Sequence, residues 1–389
     1  MKKKLLAVAV PAAMVWSVGA HAQSSVTLYG IVDAGLVYAH NAQDASGANQ
    51  STLVKFNSGG LSGDRWGLRG REDLGSGLAA IFQLENGFNI GTGALGQGSR
   101  EFGRKAVVGL TSTQWGTVTL GRQYDPNVDL VQPLTEDGYF GGIFATPGDL
   151  DNYDNSARIS NSIKYVSPVL SGLQFEALYA FGNTAGTVGA GQTFSGGLAY
   201  NQGPLALAAS YFHADGGRTT ANNVRTWTSS TDSLFNTVIN AGFASAKSVQ
   251  IVRAGGLYAL GALSFGASYS NTQYKRDGFS SFGSDAKFNS GAGFVNYRFS
   301  TALQTGIGYS YTSLTGPTSA HYHQISLGGD YLLSKRTDLY LVGGYQKASG
   351  QTLSAGGAVI GAEASVGSYG VNSGASSQAI VSAGLRHRF

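Results

Sequence analysis

Length, composition and charge exclude several classes of protein. The chain has 389 residues, with 58 Gly, no Cys, 12% charged and 11% aromatic residues, and a formal net charge of +4. Without Cys, disulfide scaffolds and thiolate metal sites are excluded, and the aromatic content is too high for a disordered chain. The glycines follow no Gly-X-Y period, which excludes collagen.

The N-terminal segment predicts export. Three lysines at positions 2–4 precede an apolar run, 5–19, which is followed by the A-x-A sequence of residues 20–22. This pattern is typical of a cleaved secretory signal peptide, here residues 1–22, and the run is too short for a membrane-spanning helix. The remaining chain has 23 basic and 22 acidic residues, a net charge of +1, so no nucleic-acid partner is expected.

The expected mature chain, 23–389, alternates apolar and polar residues. In 78–85, for example, Leu, Ala, Phe and Leu share one parity, while the other parity becomes polar at Gln83 and Glu85. A period of two predicts β-strands with one face in an apolar medium. All six prolines of this part fall between the alternating runs, as expected because proline cannot donate to a sheet hydrogen-bond ladder.

Sixteen strands are predicted, and their connections alternate between tight turns, such as 73–77 and 112–116, and long polar loops. Together with the signal peptide, this pattern predicts an all-β fold, a transmembrane sixteen-stranded antiparallel β-barrel with short periplasmic turns and long extracellular loops. The predicted strands are 24–38, 52–73, 77–88, 101–112, 116–123, 158–167, 172–182, 193–202, 204–213, 247–260, 262–275, 285–299, 302–313, 321–333, 336–349 and 376–389.

The last predicted strand, 376–389, is expected to close the barrel against the first, 24–38. An open sheet edge in lipid would leave backbone groups unpaired. Leu385 and Phe389 lie on the apolar parity of the last strand. We therefore expect these two residues to belong to a C-terminal assembly strand.

A secreted β-sandwich is the alternative fold. It would have a packed interior, yet one parity of the predicted strands carries charged residues, including Arg65, Arg69, Glu85 and Lys164. Such groups are almost never fully buried unless they are paired, whereas a water-filled lumen accommodates them. An arginine on the lipid face at mid-depth costs about 2 to 4 kcal/mol, so Arg65 and Arg69 are predicted to face the lumen.

Four segments resemble a known family: SVTLYGIVD (25–33), RWGLRGRED (65–73), GTVTLGR (116–122) and GLRHRF (384–389). They resemble the general porins of Gram-negative bacteria, in particular the betaproteobacterial branch. The resemblance implies a homotrimer of water-filled barrels in the cell outer membrane, through which small hydrophilic solutes and ions diffuse passively. It also implies that the third long loop folds into the barrel opposite a cluster of arginines. The expected partners are outer-membrane lipid, lipopolysaccharide and the barrel assembly machinery.

The third long loop, 124–157, is the predicted constriction loop. A barrel of sixteen strands leaves an aqueous channel, and the charges at its narrowest point determine selectivity. The loop is longer than a connection requires, which usually indicates a function. Glu136 and Asp137 are its acidic candidates, although the relatives carry an acid directly before Phe-Gly-Gly, where this chain has Tyr139.

The basic wall of the constriction is predicted from residue counts. Arg65, Arg104 and Arg158 lie eight, eight and nine residues before the tight turns that end their strands. The three strands run in the same direction at about 3.3 Å per residue, so similar heights near mid-barrel are expected, with Arg69 on the same wall. Lys105 occupies the other parity beside Arg104, and only the resemblance favours Arg104 as the inward residue.

The acidic side of the constriction is predicted to comprise Glu136 and Asp137 of the loop together with Glu85 and Asp33 on the wall. Glu85 and Asp33 are inward candidates at a height comparable to that of the arginines. The arginines outnumber the acids that can be placed inward. A weak preference for anions is therefore predicted.

Other functions remain open at this point. A substrate-selective channel, for example for sugars, would need a row of lumen aromatics, and the inward positions carry arginines. His213, His321 and His323 lie near extracellular strand ends, but nothing pairs them with a nucleophile as an enzyme would require, and no carboxylates accompany them as metal ligands. No cofactor or metal is predicted. The long loops 214–246 and 350–375 could add an adhesin role, on which the sequence is silent.

Overall fold

The computed structural model describes residues 25–187, 189–217, 225, 227, 234, 235 and 237–389. The predicted signal peptide, 1–22, lies outside these residues and stays a prediction. Within the described ranges, no helix is long and apolar enough to cross a membrane.

Strands account for most of the described chain. Five of the tight turns between them use a glycine at positive φ, a conformation that glycine adopts without steric cost: Gly77, Gly116, Gly172, Gly203 and Gly261. The strands are β1 (Ser25–His40), β2 (Thr52–Ser58), β3 (Arg65–Gly75), β4 (Leu78–Gly87), β5 (Lys105–Ser112), β6 (Gly116–Gln123), β7 (Ile159–Val166), β8 (Leu173–Ala180), β9 (Thr193–Gln202), β10 (Leu205–Asp215), β11 (Ser248–Leu260), β12 (Leu263–Lys275), β13 (Ala286–Arg298), β14 (Leu303–Thr315), β15 (Ala320–Leu332), β16 (Thr337–Leu353), β17 (Val359–Gly361) and β18 (Ser377–Arg388).

These strands form a closed antiparallel barrel with sixteen positions. β18 pairs with β1 over the register Ile31↔Arg388 to His40↔Ala379, which closes the ring. β2 and β3 both pair with β1, one with each half, and so occupy a single position. β17 pairs with the end of β16 and only extends a loop. The predicted sixteen-stranded barrel is confirmed, including the pairing of its last strand with its first.

One predicted strand differs from the structure. The segment 52–73 was expected to be continuous, but it is interrupted between β2 and β3 by residues 59–64. Gly59 has a φ of +76°, so the chain leaves the sheet at this point and returns at Arg65. The alternation of apolar and polar residues continues on both sides of the break, which is why the sequence pattern did not reveal it.

Alternation along the strands separates an apolar exterior from a polar interior. In β14, Ile307, Tyr309 and Tyr311 are exposed on the outside, whereas Ser310 and Thr312 are buried on the inside. Exposed apolar side chains and buried polar ones invert the arrangement of a water-soluble protein. This inversion is expected where the outer face meets lipid and the inner face meets water.

The long loops fold into the extracellular half of the lumen. Loop three (124–157), loop eight (354–376) and the described residues of loop five (216, 217, 225, 227, 234, 235 and 237–247) contribute Leu150, Ala364 and Phe243 to an apolar core, which also contains the inward side chains of Tyr274 and Phe288. Burying an aromatic or leucine side chain contributes about 1.5 to 3 kcal/mol. This core borders β7, β8 and β10 to β16, and a cavity remains between loop three, the start of β3 and the residues that precede β5 and β7.

Short helical turns occur in loops two, three and five. In loop three they follow one another closely and hold the chain inside the barrel. The turns are an α-helical turn at Gly96–Ser99 in loop two, a π-helical turn at Asn127–Val131, an α-helical turn at Asp137–Phe140, and 3₁₀ turns at Gln132–Leu134, Gly141–Phe144, Pro147–Asp149 and Ala241–Phe243.

Barrel closure depends on a close contact at Gly30. Its backbone exchanges two hydrogen bonds with Phe389, at 3.1 and 3.0 Å, and a Cβ at position 30 would overlap the Phe389 ring and lie 2.7 Å from the Arg65 carbonyl oxygen. We expect Gly30→Val to destabilise the barrel by about 1 to 3 kcal/mol, as overpacking does. Gly291→Val is the control, since nothing lies within 4 Å of its added Cβ. The heat-induced gel shift of the folded barrel measures both, and equal stability of the two variants would contradict the closure contact.

Candidate functional site

Three arginines line one cavity in the open part of the lumen. Arg65 is the first residue of β3, and Arg104 and Arg158 directly precede β5 and β7. All three line a cavity of about 780 Å³ between the barrel wall and loop three. The structure thus brings together the residues that strand counting placed at similar height.

The three arginines differ in how their charges are balanced. Arg104 Nε lies 2.8 Å from Glu85 Oε1, and both side chains are nearly buried. Arg158 donates to the Ser156 carbonyl at 3.0 Å and lies over the ring of Tyr124. Arg65 donates to the Gly63 carbonyl at 3.3 Å. Among the described residues, only Arg104 of these three forms an ion pair within 4 Å, so the wall as a whole is positive.

Loop three places a pair of carboxyl groups on the opposite side of the same cavity. Asp137 and Asp154 contact each other, Gln132 donates to Asp137, and Ser368 of loop eight donates to Asp154. Burial is the main cause that raises the pKa of both aspartates, and the negative charge of Asp154 raises that of Asp137 further. The charges of Arg158 and Arg104 act in the opposite direction on Asp154. Two adjacent carboxyl groups of this kind take up protons more readily than isolated aspartates, and their titrations are coupled.

Loop three is held inside the barrel by aromatic side chains that pack against glycines of the wall. Because glycine has no side chain, these positions leave gaps, here called glycine gaps, that the rings fill. Phe140 is fully buried against Gly328 of β15, and Phe144 lies against Gly308 of β14. The Ile143 carbonyl accepts hydrogen bonds from Gln324 and Ser326, at 2.9 and 2.8 Å. A side chain at either glycine would exclude the aromatic ring, so the small wall residues and the loop aromatics together fix the loop.

Glu136 does not lie where the sequence analysis expected it. It is turned away from the arginine cavity and lies against Asn296 and Gly306, on the wall formed by β13 and β14. Its side chain is buried, and burial raises the pKa of its carboxyl group to about 9. The cause of the difference is the helical turn at 137–140, which points adjacent residues to different sides.

Two further candidates also lie outside the cavity lining. Asp33 is fully buried under residues 59–64, whose backbone it binds. The Arg69 guanidinium group lies over the ring of Tyr29, 5.4 Å from its centroid. Arg69 lines a second cavity and is not part of the lining of the arginine cavity. Glu85, Arg65, Arg104, Arg158 and Asp137 are the predicted residues that the cavity does bring together.

Sequence reasoning missed several residues of the lining. Tyr29, Tyr124 and Asp129 line the cavity, and Asp129 forms an ion pair with Lys164 of β7. Asp154 was one of several loop carboxylates, and no local signal distinguished it from the others. Its partner Ser368 lies in loop eight, more than two hundred residues away, so only the folded chain identifies it.

The different positions of Glu136 and Asp154 lead to a prediction. Glu136→Gln should leave the reversal potential of the channel unchanged near neutral pH, because a carboxyl group with a pKa of about 9 is already uncharged there. Asp154→Asn, which removes a shared negative charge from the cavity, should shift the potential towards anions. Equal shifts from the two variants would place Glu136 on the ion path and contradict this assignment.

The three histidines that the sequence analysis considered contact tyrosine and aspartate side chains. The Nδ1 atoms of His321 and His323 lie 2.8 and 2.7 Å from the hydroxyls of Tyr311 and Tyr309 on the outer face. His213 lies 3.0 Å from Asp215. Within the described ranges, no three His, Asp or Glu side chains are arranged to hold a metal ion.

A closed barrel with an apolar exterior, a polar lumen and an inward loop that narrows this lumen defines an outer-membrane channel protein. Comparison with known proteins agrees with this class. The model of the Gram-negative porin family matches residues 6–351, and the chain belongs to that family. Porins of this kind are channels of the outer membrane and not enzymes.

Individual relatives give the same result. Outer membrane porin protein 32 of Delftia acidovorans is 33% identical over 100% of both chains. An outer membrane porin protein of Bordetella pertussis is 39% identical, over 54% of this chain and 59% of its own length. Among solved structures, the anion-selective porin from Comamonas acidovorans matches with a TM-score of 0.70 and 26% identity, covering 94% of this chain and 100% of that one.

Proposed function

We propose that this porin is a general diffusion channel for small hydrophilic solutes and ions with a weak preference for anions. The observation that carries the proposal is the charge balance of the cavity between β3, β5, β7 and loop three. Three arginines face Glu85 and a pair of aspartates, Asp137 and Asp154, whose pKa values are raised mainly by burial. Asp129 is balanced by Lys164. Protons taken up by the two aspartates leave the positive charge of the arginines in excess, which favours anions at a narrow point.

The related porin from Comamonas acidovorans, described as anion-selective, supports the sign of this preference. In this proposal, Arg65, Arg104 and Arg158 form the basic side of the constriction. Asp137 and Asp154, together with Glu85, form the acidic side. Residues 124–157 act as the constriction loop of the barrel domain, 23–389, after removal of the signal peptide, 1–22.

The partners of the channel follow from its surface and family. The apolar exterior contacts outer-membrane lipid, with lipopolysaccharide on the extracellular side, and the family resemblance supports a homotrimer. The last strand, which carries Leu385 and is followed directly by Phe389, is the segment for the barrel assembly machinery, because both side chains are exposed on the outer face.

A substrate-selective channel is the alternative. The cavity contains two tyrosines, Tyr29 and Tyr124, but each lies beside an arginine, and Tyr29 also binds Glu85 and Gln83 through its hydroxyl. A row of free aromatic faces on which sugar rings could slide is not formed by these two residues. Conductance that saturates with one solute would favour this alternative over general diffusion.

Single-channel recording of the purified protein in a planar bilayer tests the proposal. Under a KCl gradient, the reversal potential should have the sign of an anion-preferring channel. The conductance should rise with salt concentration, and no single solute should saturate it. A homotrimer should close in three equal steps. A cation-preferring potential would contradict the assigned charge balance, and a single closing step would contradict the trimer.

A further inference from the structure

The break in the barrel wall at residues 59–64 forms a structure of its own, here named the inward segment. It connects β2 and β3, and both strands remain paired with β1, so the break does not open the ring. The segment turns into the lumen, and Gly59, Leu61, Ser62 and Gly63 line the arginine cavity. Residues 59–64 therefore occupy space inside the pore instead of continuing the hydrogen-bond ladder of the barrel wall.

Asp33 holds the inward segment in place. It is fully buried, and its Oδ2 accepts hydrogen bonds from the backbone N–H groups of Leu61 and Ser62, both at 2.8 Å. Its Oδ1 accepts from the Tyr340 hydroxyl at 2.7 Å. A buried carboxylate is costly unless its lone pairs are satisfied, and here three donors satisfy it, two of which belong to the segment.

Asp64 completes the attachment from the other end of the segment. Its Oδ1 accepts from the Asp33 backbone N–H at 2.5 Å, and its Oδ2 accepts from the hydroxyl of Ser58. The Gly59 N–H donates to the Asp33 carbonyl at 2.8 Å. The two ends of the segment are thus tied to the same residue of β1.

The inward segment contacts two of the three arginines. The Gly63 carbonyl accepts from Arg65 at 3.3 Å. Its Cα lies so close to Arg104 that a Cβ at position 63 would be 3.0 Å from the Arg104 Nη1 atom. A movement of the segment would therefore remove a hydrogen-bond acceptor of Arg65 and change the space beside the guanidinium group of Arg104.

The segment also contacts the inward loops. Leu61 packs in one cluster with Phe140 and Ile143 of loop three, and a Cβ at Gly141 would lie 2.5 Å from the Leu61 carbonyl oxygen. Tyr369 of loop eight donates to the Gly60 carbonyl at 3.1 Å. The segment is therefore one of the places at which the basic wall contacts loop three.

We propose that the inward segment is a second constriction element that sets the width of the pore together with loop three, and that Asp33 is the residue that positions it. This inference rests on the proposed function, since it assumes that ions cross the arginine cavity. It adds that part of the narrowing comes from the barrel wall itself. Width and ion preference are then coupled, because one segment contacts Arg65, Arg104 and loop three.

Two substitutions of Asp33 separate positioning from charge. Asp33→Ala removes all three acceptor contacts, so the segment should relax, single-channel conductance should rise and anion preference should fall to half or less. Asp33→Asn retains a carbonyl oxygen that can accept from Leu61 and Ser62, and it should keep most of the wild-type conductance and preference. Asp44→Asn, in an exposed extracellular loop, is the control for loss of a carboxylate and should match the wild type.

Equal effects of Asp33→Ala and Asp33→Asn would mean that Asp33 acts through its charge and would overturn the positioning role. Wild-type conductance of Asp33→Ala would overturn it as well. The gel shift of the folded barrel shows whether each variant is folded. If Asp33→Ala does not fold, the variant Ser62→Cys tests whether the segment limits the width of the pore, since it leaves Asp33 in place.

Because the chain has no Cys, a single introduced thiol can be labelled selectively. Ser62→Cys treated with sulfonatoethyl methanethiosulfonate should lose a large part of its conductance, since Ser62 lines the cavity. Gln114→Cys, exposed in the turn between β5 and β6, should react without effect. Unchanged conductance of labelled Ser62→Cys would overturn the second constriction. Block of this variant in a channel that proves cation-preferring would contradict the proposed anion preference alone, so the two failures are distinguishable.

Discussion

Replacement of both Arg65 and Arg158 by alanine should convert the weak anion preference into a cation preference. Unit charges about 4 Å apart interact by about 1 kcal/mol in a water-like dielectric, and ~1.4 kcal/mol corresponds to a tenfold ratio. Loss of both charges, about 2 kcal/mol together, should therefore lower the anion-to-cation permeability ratio by roughly thirtyfold. The reversal potential under a KCl gradient measures this change directly.

Arg65 and Arg158 are the suitable pair because their hydrogen bonds within the described residues go to neutral oxygen atoms. Arg104→Ala would instead leave Glu85 buried without its ion-pair partner, which destabilises a fold. Arg276→Ala with Lys335→Ala removes the same number of positive charges from exposed loops and should not change the potential. An equal shift in this control would mean that overall charge, and not the constriction, determines selectivity.

Acidification should strengthen the anion preference. The pKa values of Asp137 and Asp154 are raised mainly by burial, so both carboxyl groups take up protons at a pH above the ordinary aspartate value of about 3.9. A carboxyl group is uncharged below its pKa, and each proton added removes one negative charge from the cavity. The permeability ratio should therefore rise as the pH falls through this raised range, and reversal potentials recorded over a pH series measure it.

The double variant Asp137→Asn with Asp154→Asn should abolish this pH dependence and show the strong anion preference at every pH. Asp44→Asn with Asp277→Asn removes two carboxylates from extracellular loops, where hydrogen bonds lower both pKa values, and should retain the dependence of the wild type. A pH series that stays steep in the Asp137/Asp154 variant would show that other groups titrate in the ion path.

Much of the barrel was predictable because strand alternation is a local property. Ile307, Tyr309 and Tyr311 alternate with Ser310 and Thr312 in the sequence just as they alternate across the wall. The heights of Arg65, Arg104 and Arg158 followed from counting, because a strand advances by a nearly constant distance per residue. Neither prediction needed knowledge of which strands are neighbours.

The acidic side of the site was less predictable because helical turns and distant contacts decide it. Glu136 and Asp137 are adjacent, yet the turn at 137–140 sends one to β13 and β14 and the other to the arginine cavity. Asp154 is positioned by its contacts with Ser368 and Asp137. Asp33 is buried because the strand breaks above it, and this break leaves the alternation of apolar and polar residues unchanged. None of these contacts has a signature at fixed spacing in the chain.

The sequence by itself therefore determined the barrel, its strand number, its closure between the first and last strands and the arginines of one wall. These features depend on a repeat of two residues and on the lengths of strands and turns. Both are properties of short stretches of sequence. Only the tertiary structure decided which carboxyl groups face the arginines, how the loops pack inside the lumen and why Asp33 is buried. Those outcomes depend on packing between segments far apart in the chain, where glycine gaps, aromatic rings and buried hydrogen bonds must fit one another in space.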